Sequence, residues 1–221
     1  MDLGGVGGIG GIVVSVNVGR AVPAPYAARA VKTSAIDKRP VDGSVAATAL
    51  GLDGDQQADR RHHGGVDRAV HAYALEDLRT WGEALDRPLR PGQFGENLTT
   101  LGVDVTGAVI GERWRAGTAL LEISCPRIPC RTFAGWLGEG AWMRRFTERG
   151  APGAYLRVVE EGRLGKGDAI VLERRPAHGV TVGEAFRALT GDRSLAHRLL
   201  EAPELPAKAH DRARTWLGIT A

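Results

Sequence analysis

Cysteine is nearly absent from this 221-residue chain, which holds only Cys125 and Cys130, with four residues between them. Two thiols cannot build a disulfide scaffold, and their spacing does not match the paired cysteines of a structural zinc site. Lysine is also scarce. Lys32, Lys38, Lys166 and Lys208 are the whole set, so arginine carries most of the positive charge. Net charge is only +3 with acids and bases interspersed, which argues against the clustered basic face of a dedicated nucleic-acid binder. No stretch approaches the roughly twenty apolar residues that a membrane-spanning helix needs. The opening Met1-Asp2-Leu3-Gly4-Gly5 lacks the basic segment of a secretory signal. A cytoplasmic, reducing location is the resulting expectation. What remains is ordinary: 43% hydrophobic residues, enough to bury a core in one domain of moderate size.

Residues 1–11 are mostly glycine and are expected to be poorly ordered, because glycine loses the most backbone entropy on folding. The glycines of residues 4–10 superficially match a dinucleotide loop, but no strand precedes them and a strand, 12–18, follows. Apolar alternation then marks short strands within 27–36 and 45–50, and at 70–74, 96–101, 109–114, 119–124, 154–159 and 168–172. Helical patterns appear at 76–85 and 140–148, the second with Trp142, Met143 and Phe146 as core candidates. Many short strands with glycine turns and few helices predict a mainly β fold, a closed or nearly closed β-barrel over residues 12–175. After Pro176 the pattern turns helical, at 182–189, 194–200 and 206–217. Thr181 and Glu184 have the spacing of a capping box. Residues 176–221 therefore read as an appended three-helix unit packed on the barrel or on a partner.

Four polar clusters interrupt the strands. They are Lys32-Thr33, then Arg60-Arg61-His62-His63-Gly64-Gly65-Val66-Asp67-Arg68, then Phe94-Gly95-Glu96-Asn97-Leu98, and last Cys125-Pro126-Arg127-Ile128-Pro129-Cys130. In the last, two prolines stiffen a loop that follows an apolar strand, a good seat for a thiol. Cys130 has two readings, a buried small hydrophobe or a reactive thiolate. Glycine pairs let backbone approach a ligand, so His63-Gly64-Gly65 would cradle an anion with Lys32, Arg61 and Arg127 supplying charge. Each cluster also has a plain reading: His62 and His63 as exposed loop residues, Asn97 as a turn residue, Asp67-Arg68 as a surface pair. The run of residues 51–59 spaces its acids with glycine but lacks the calcium-loop pattern and its closing glutamate.

Together, Gly51-Leu52-Asp53-Gly54-Asp55-Gln56-Gln57-Ala58-Asp59, His63-Gly64-Gly65-Val66-Asp67-Arg68-Ala69-Val70, Phe94-Gly95-Glu96-Asn97-Leu98 and Pro126-Arg127-Ile128-Pro129-Cys130 resemble the MOSC domain, named for the C-terminal domain of molybdenum cofactor sulfurase. The likeness is to the stand-alone bacterial YiiM-like branch, whose three-helix extension is similar to residues 178–217. The resemblance implies a β-barrel and the molybdenum cofactor (molybdopterin). It puts the family's cysteine on Cys130, as a molybdenum ligand or a persulfide carrier, and its pocket on Lys32, Thr33, Arg61, His63, Asp67 and Asn97. Arg127 becomes a candidate cofactor anchor and Cys125 a residue packed at the strand end. Pyridoxal phosphate is also associated with the family, with no independent support in this chain; Lys32 would be the lysine for a Schiff base.

Three functions follow. The first is a reductase of N-hydroxylated small molecules such as hydroxylaminopurine base analogues, with Cys130 on molybdenum and His63 or Asp67 as proton donor. It would need a separate electron-donor protein, because the sequence has no flavin, haem or iron–sulfur motif. The second is a carrier of sulfur or cofactor using Cys130. The third is a non-catalytic relative. A homodimer is a further expectation.

Overall fold

The computed structural model describes residues 7–27, 31–59 and 64–219. Its strands are β1 (Ile9–Val18), β2 (Val22–Pro23), β3 (Thr33–Ser34), β4 (Arg39–Pro40), β5 (Ser44–Thr48), β6 (Gly51–Leu52), β7 (Val70–Ala74), β8 (Leu98–Leu101), β9 (Arg113–Ala116), β10 (Ala119–Pro126), β11 (Ala154–Glu160), β12 (Gly162–Gly165) and β13 (Ala169–Arg174). Its α-helices are α1 (Leu75–Ala84), α2 (Arg131–Leu137), α3 (Trp142–Arg149), α4 (Val182–Thr190), α5 (Ala196–Glu201) and α6 (Ala207–Leu217). None of the described helices is long and apolar enough to cross a membrane.

The expected barrel is present. Strands β13, β9, β10, β11, β7, β8 and β1 lie side by side in that order, and β1 pairs back onto β13 to close the ring. Closure removes the unpaired edges that an open sheet would leave. Every pairing in the ring is antiparallel except β7 with β8.

β1 starts at Ile9, so it takes in the end of the segment expected to be poorly ordered. Gly11 explains why glycine belongs there: a Cβ would stand 2.3 Å from the carbonyl oxygen of Leu101 on the neighbouring strand. Within 27–36 only Thr33–Ser34 is strand, and residues 28–30 lie outside the described residues. α2 was not expected at all. Met143, an expected core residue, is 42% exposed, and α3 instead buries Trp142 and Phe146, one turn apart on one face.

Two cores organise the chain. The larger fills the barrel with residues such as Val16, Leu98, Trp114, Leu121, Ile123 and Leu156. It continues without a break into Val182, Ala185, Leu199, Leu205 and Ala213 of the C-terminal helices. Those helices therefore pack on the barrel and share its core. Polar contacts tie them down further: Arg157 Nη2 donates to the Glu204 carbonyl at 2.8 Å, and the Glu204 carboxylate pairs with Arg174 at 3.4 Å. The second core is aromatic. Tyr73, Trp81, Phe94, Phe133, Trp142, Phe146 and Phe186 pack together beside the barrel, most of them edge to face.

Candidate functional site

The aromatic core positions the site. It buries Phe94 and Phe133 completely, and so pins the two loops that carry Gly95-Glu96-Asn97 and Cys130-Arg131-Thr132. Between these loops, residues 31–38 and 55–59, and β11 lies a cavity of about 100 Å³. Thr33, Asn97, Arg127 and Cys130 all line it. It shares Thr33 and residues 55–58 with an open groove of about 600 Å³ that runs along residues 50–58.

Cys130 is the last extended residue before α2, with φ −134° and ψ 168°, and its carbonyl accepts from Ala134 N at 3.0 Å. Its thiol is half-buried, whereas Cys125 is buried within β10, where desolvation pushes its thiol pKa up. Arg127 is only 5% exposed. Its Nη1 donates to the Phe94 carbonyl, and its guanidinium lies 3.9 Å from the centroid of the Phe133 ring. Its Nε has no hydrogen-bond partner among the described residues.

Asp55 is the hub of the opposite wall. Its Oδ1 accepts from Gly19 N at 2.8 Å and from Lys38 Nζ, and its Oδ2 accepts from Asn97 Nδ2 at 2.9 Å. Asn97 also donates to the Asn17 carbonyl at 3.1 Å and accepts from His71 N at 3.1 Å. Its amide is thereby committed to holding β1, β7 and residue 55 together. Glu96 is fully buried and accepts from Gly92 N at 2.6 Å, Phe94 N at 3.0 Å and Thr99 Oγ1 at 2.9 Å. Burial raises its pKa against those bonds.

Burial lowers the Lys38 pKa, and the Asp55 carboxylate beside it opposes that shift. His71 is held neutral: burial drives its pKa well below 6.5, and the charge of Arg127 adds to the effect. The cavity thus contains a matched Lys38–Asp55 pair, a neutral imidazole, and the guanidinium groups of Arg68 and Arg127.

Two expected site residues lie elsewhere. Lys32 is exposed, with φ 59°, and does not line the cavity; the lysine inside is Lys38. The register explains this, because β2 and β3 pair at Thr33 and Ser34 and leave Lys32 at the preceding turn. Asp67 also lies off the cavity. It sits in the 3₁₀ turn Val66–Arg68, where successive side chains diverge, so Arg68 faces the cavity while Asp67 Oδ1 takes Arg157 Nε at 2.6 Å. Arg61 and His63 lie outside the described residues.

Lys38, Asp55, His71 and Tyr155 line the cavity without having been picked out as site residues. His71 left a trace in the sequence, as a polar residue inside the apolar strand 70–74, and Asp55 lay in the acidic run 51–59. Lys38 and Tyr155 had none, since each is brought in by long-range pairing.

Comparison with protein-family models matches the MOSC domain over residues 59–171. The chain belongs to the MOSC family. This MOSC protein is 37% identical to the YflK protein of Bacillus subtilis over 79% of each chain. It is 33% identical to a protein of Gibberella moniliformis named "Reductase", over 79% of this chain but 32% of that longer one. Among solved structures, YiiM from Geobacillus stearothermophilus superposes with a TM-score of 0.78 at 29% identity, covering 94% of this chain and 99% of that one. The fold is therefore that of the YiiM proteins.

The cavity residues fit a molybdenum cofactor. The orphaned Nε of Arg127 offers a buried donor to an anionic group, and the Cys130 sulfur is a soft ligand. Among the described residues no three His, Cys, Asp or Glu side chains converge as metal ligands. A metal held by Cys130 would take its remaining ligands from the group that brings it, which a dithiolene pterin does.

Proposed function

We propose that this MOSC protein binds the molybdenum cofactor and reduces N-hydroxylated compounds of the hydroxylaminopurine type. The observation that carries the reading is the Cys130 thiol on the wall of a cavity that also holds the buried, partly unbonded guanidinium of Arg127. Membership of the MOSC family and a relative named "Reductase" support it. Cys130 would ligate molybdenum, and Arg127 would hold an anionic group of the cofactor with Thr33 on the facing wall. Asn97 would act through the wall it fastens. When bound, the cofactor supplies a two-electron redox centre. The net reaction takes a hydroxylamine, two electrons and two protons to an amine and water, with electrons from a separate donor protein. His63 or Asp67, the latter held by Arg157, would be the proton donor.

Purification from a host that makes the cofactor tests this reading. Molybdenum and pterin should co-purify, with turnover of a hydroxylaminopurine that Cys130→Ser abolishes. Unchanged activity in the Cys130→Ser protein would overturn it. The same half-buried thiol also suits a persulfide carrier. Cyanide-releasable sulfur without metal would favour that reading instead.

A further inference from the structure

The Val66–Arg68 turn carries part of the site, yet hydrophobic burial does not keep it there. It buries none of its side chains, and Val66 is 53% exposed. The apolar packing that seats the loops of Asn97 and Cys130 therefore contributes little here. Polar bonds fasten the turn instead. Ser124 Oγ on β10 lies between the Asp67 carbonyl and the Tyr155 carbonyl, the latter at 2.9 Å. Gln57 Nε2 donates to the Arg68 carbonyl at 3.4 Å. The Asp67 carboxylate takes Arg157 Nε at 2.6 Å, and of these three tethers it alone joins two full charges.

Arg157 is itself held in one orientation. It stands on β11 opposite Glu122 of β10, and its guanidinium has acceptors on three sides. Nε goes to Asp67, Nη1 to Glu122 Oε1 at 3.1 Å and Nη2 to the Glu204 carbonyl at 2.8 Å. Glu122 is braced in turn by Arg113 Nε at 2.9 Å. A planar fork bound in this way fixes direction, which the point charge of a lysine would not. Arg157 does not line the cavity. The turn it holds does so through Arg68, whose guanidinium lies 5.7 Å from the centroid of the Tyr155 ring. Tyr155 lines the same cavity as Cys130.

We propose that Arg157 is a positioning residue of the site: it fixes the turn that sets Arg68 in the cavity wall, and it ties that turn to the C-terminal segment at Glu204. This role rests on the reading of the cavity as the ligand site of Cys130, and it is the same whether His63 or Asp67 gives the proton.

Hydrogen exchange of the cofactor-free full chain, followed by NMR, tests this without turnover. The reporter is the Arg68 N–H, bonded to the Gly65 carbonyl at 3.0 Å. In Arg157→Met it should exchange about tenfold faster, as expected for losing a partly exposed charge-assisted bond. The amides of β1 and β13, across the ring, should keep their wild-type rates. Arg157→Lys keeps the charge without the fork and should recover part of the protection. Asp67→Asn removes the same ion pair from its other end and should match Arg157→Met. Thermal melts establish that the variants fold; should Arg157→Met fail to fold, Asp67→Asn decides. In cofactor-loaded protein, Arg157→Met should keep its molybdenum and pterin while turnover per bound molybdenum falls about tenfold. A variant that had merely lost stability would lose cofactor and keep its turnover per molybdenum. Unchanged exchange at the turn, or faster exchange spread evenly over the barrel, would overturn the proposal. So would full turnover per molybdenum in a variant whose turn is loosened. A loosened turn in a protein that takes up no metal leaves the tether standing while the reductase reading falls, and metal with turnover but an unmoved turn does the reverse.

Discussion

His71 sits on β7 with a backbone N–H bound to Asn97 and a ring facing Tyr155, and burial keeps that ring neutral. The consequence for stability has a definite sign. The folded pKa lies below 6.5, so below that pH the unfolded chain takes up a proton that the folded chain refuses. The contribution of His71 is therefore fully present above pH 6.5 and is lost as pH falls towards the folded pKa. Glu96 works the other way, since its raised folded pKa favours proton uptake by the folded state. It is common to wild type and variant, so it cancels in a comparison. Between pH 6.5 and 4.5, wild-type stability should fall relative to that of His71→Phe by up to about 1.4 kcal/mol per pH unit. Denaturant unfolding across that range checks this, and parallel curves for the two proteins would contradict it.

The same scale shows what the sequence could convey. Cys130, Arg127, Thr33 and Asn97 lie in or beside glycine- and proline-marked loops, and such loops gather at one end of a barrel. Polar clusters between the strands drew attention to these stretches, and the family resemblance picked the residues out of them. It could not choose between Lys32 and Lys38, because that choice depends on which residues of a short hairpin pair. Nor could it separate Asp67 from Arg68, whose directions diverge within one tight turn.

At the level of elements, the best-read feature was the most local. Thr181 Oγ1 accepts from Glu184 N at 3.1 Å, and the Glu184 carboxylate accepts from Thr181 N at 3.0 Å, closing the expected capping box at the head of α4. Strands with period-two alternation were equally legible. α2 was hidden because its reason for existing is tertiary. It is short, follows Pro129, contains Gly135, and ends at Gly138 in the left-handed region with φ 69°. What holds it is the burial of Phe133 and Leu137 in the aromatic core. Gly135 tests that account, because two principles disagree about it. Helix propensity alone says Gly135→Ala should stabilise by about 1 kcal/mol. In the fold, a Cβ at 135 would stand 2.6 Å from Tyr26 Cβ and 3.4 Å from its backbone. That contact must shift, and overpacking of this kind costs about 1–3 kcal/mol. We expect Gly135→Ala to melt lower than wild type. A higher melting temperature would mean that Tyr26 does not close over this helix.

For the whole molecule, the question is whether barrel and C-terminal helices are one cooperative unit. Sequence periodicity shows which face of a helix is apolar but not what covers it, so 176–221 read as an appendage. The structure gives a physical reason for unity. Val182, Ala185 and Leu199 share the barrel's core, and Phe186 of α4 joins the aromatic core through Phe146, 6.2 Å away. Phe146 packs on Phe133 at 5.3 Å and on Phe94 at 6.2 Å, the two residues that seat the loops of the site. A hole at Phe186 therefore opens beside the anchors of Cys130 and Asn97. Phe186→Ala should cost about 3–5 kcal/mol, the usual cost of emptying a buried aromatic position. It should do so in a single unfolding transition that carries barrel and helices together. Ending the chain after Arg175 should go further and leave no cooperative melt, because β10 loses the helix α4 that packs on it and the core they share is opened. Two separate transitions in Phe186→Ala, or a shortened chain with a sharp melt of its own, would show that the helices are an independent unit and that α4 does not help to hold the site.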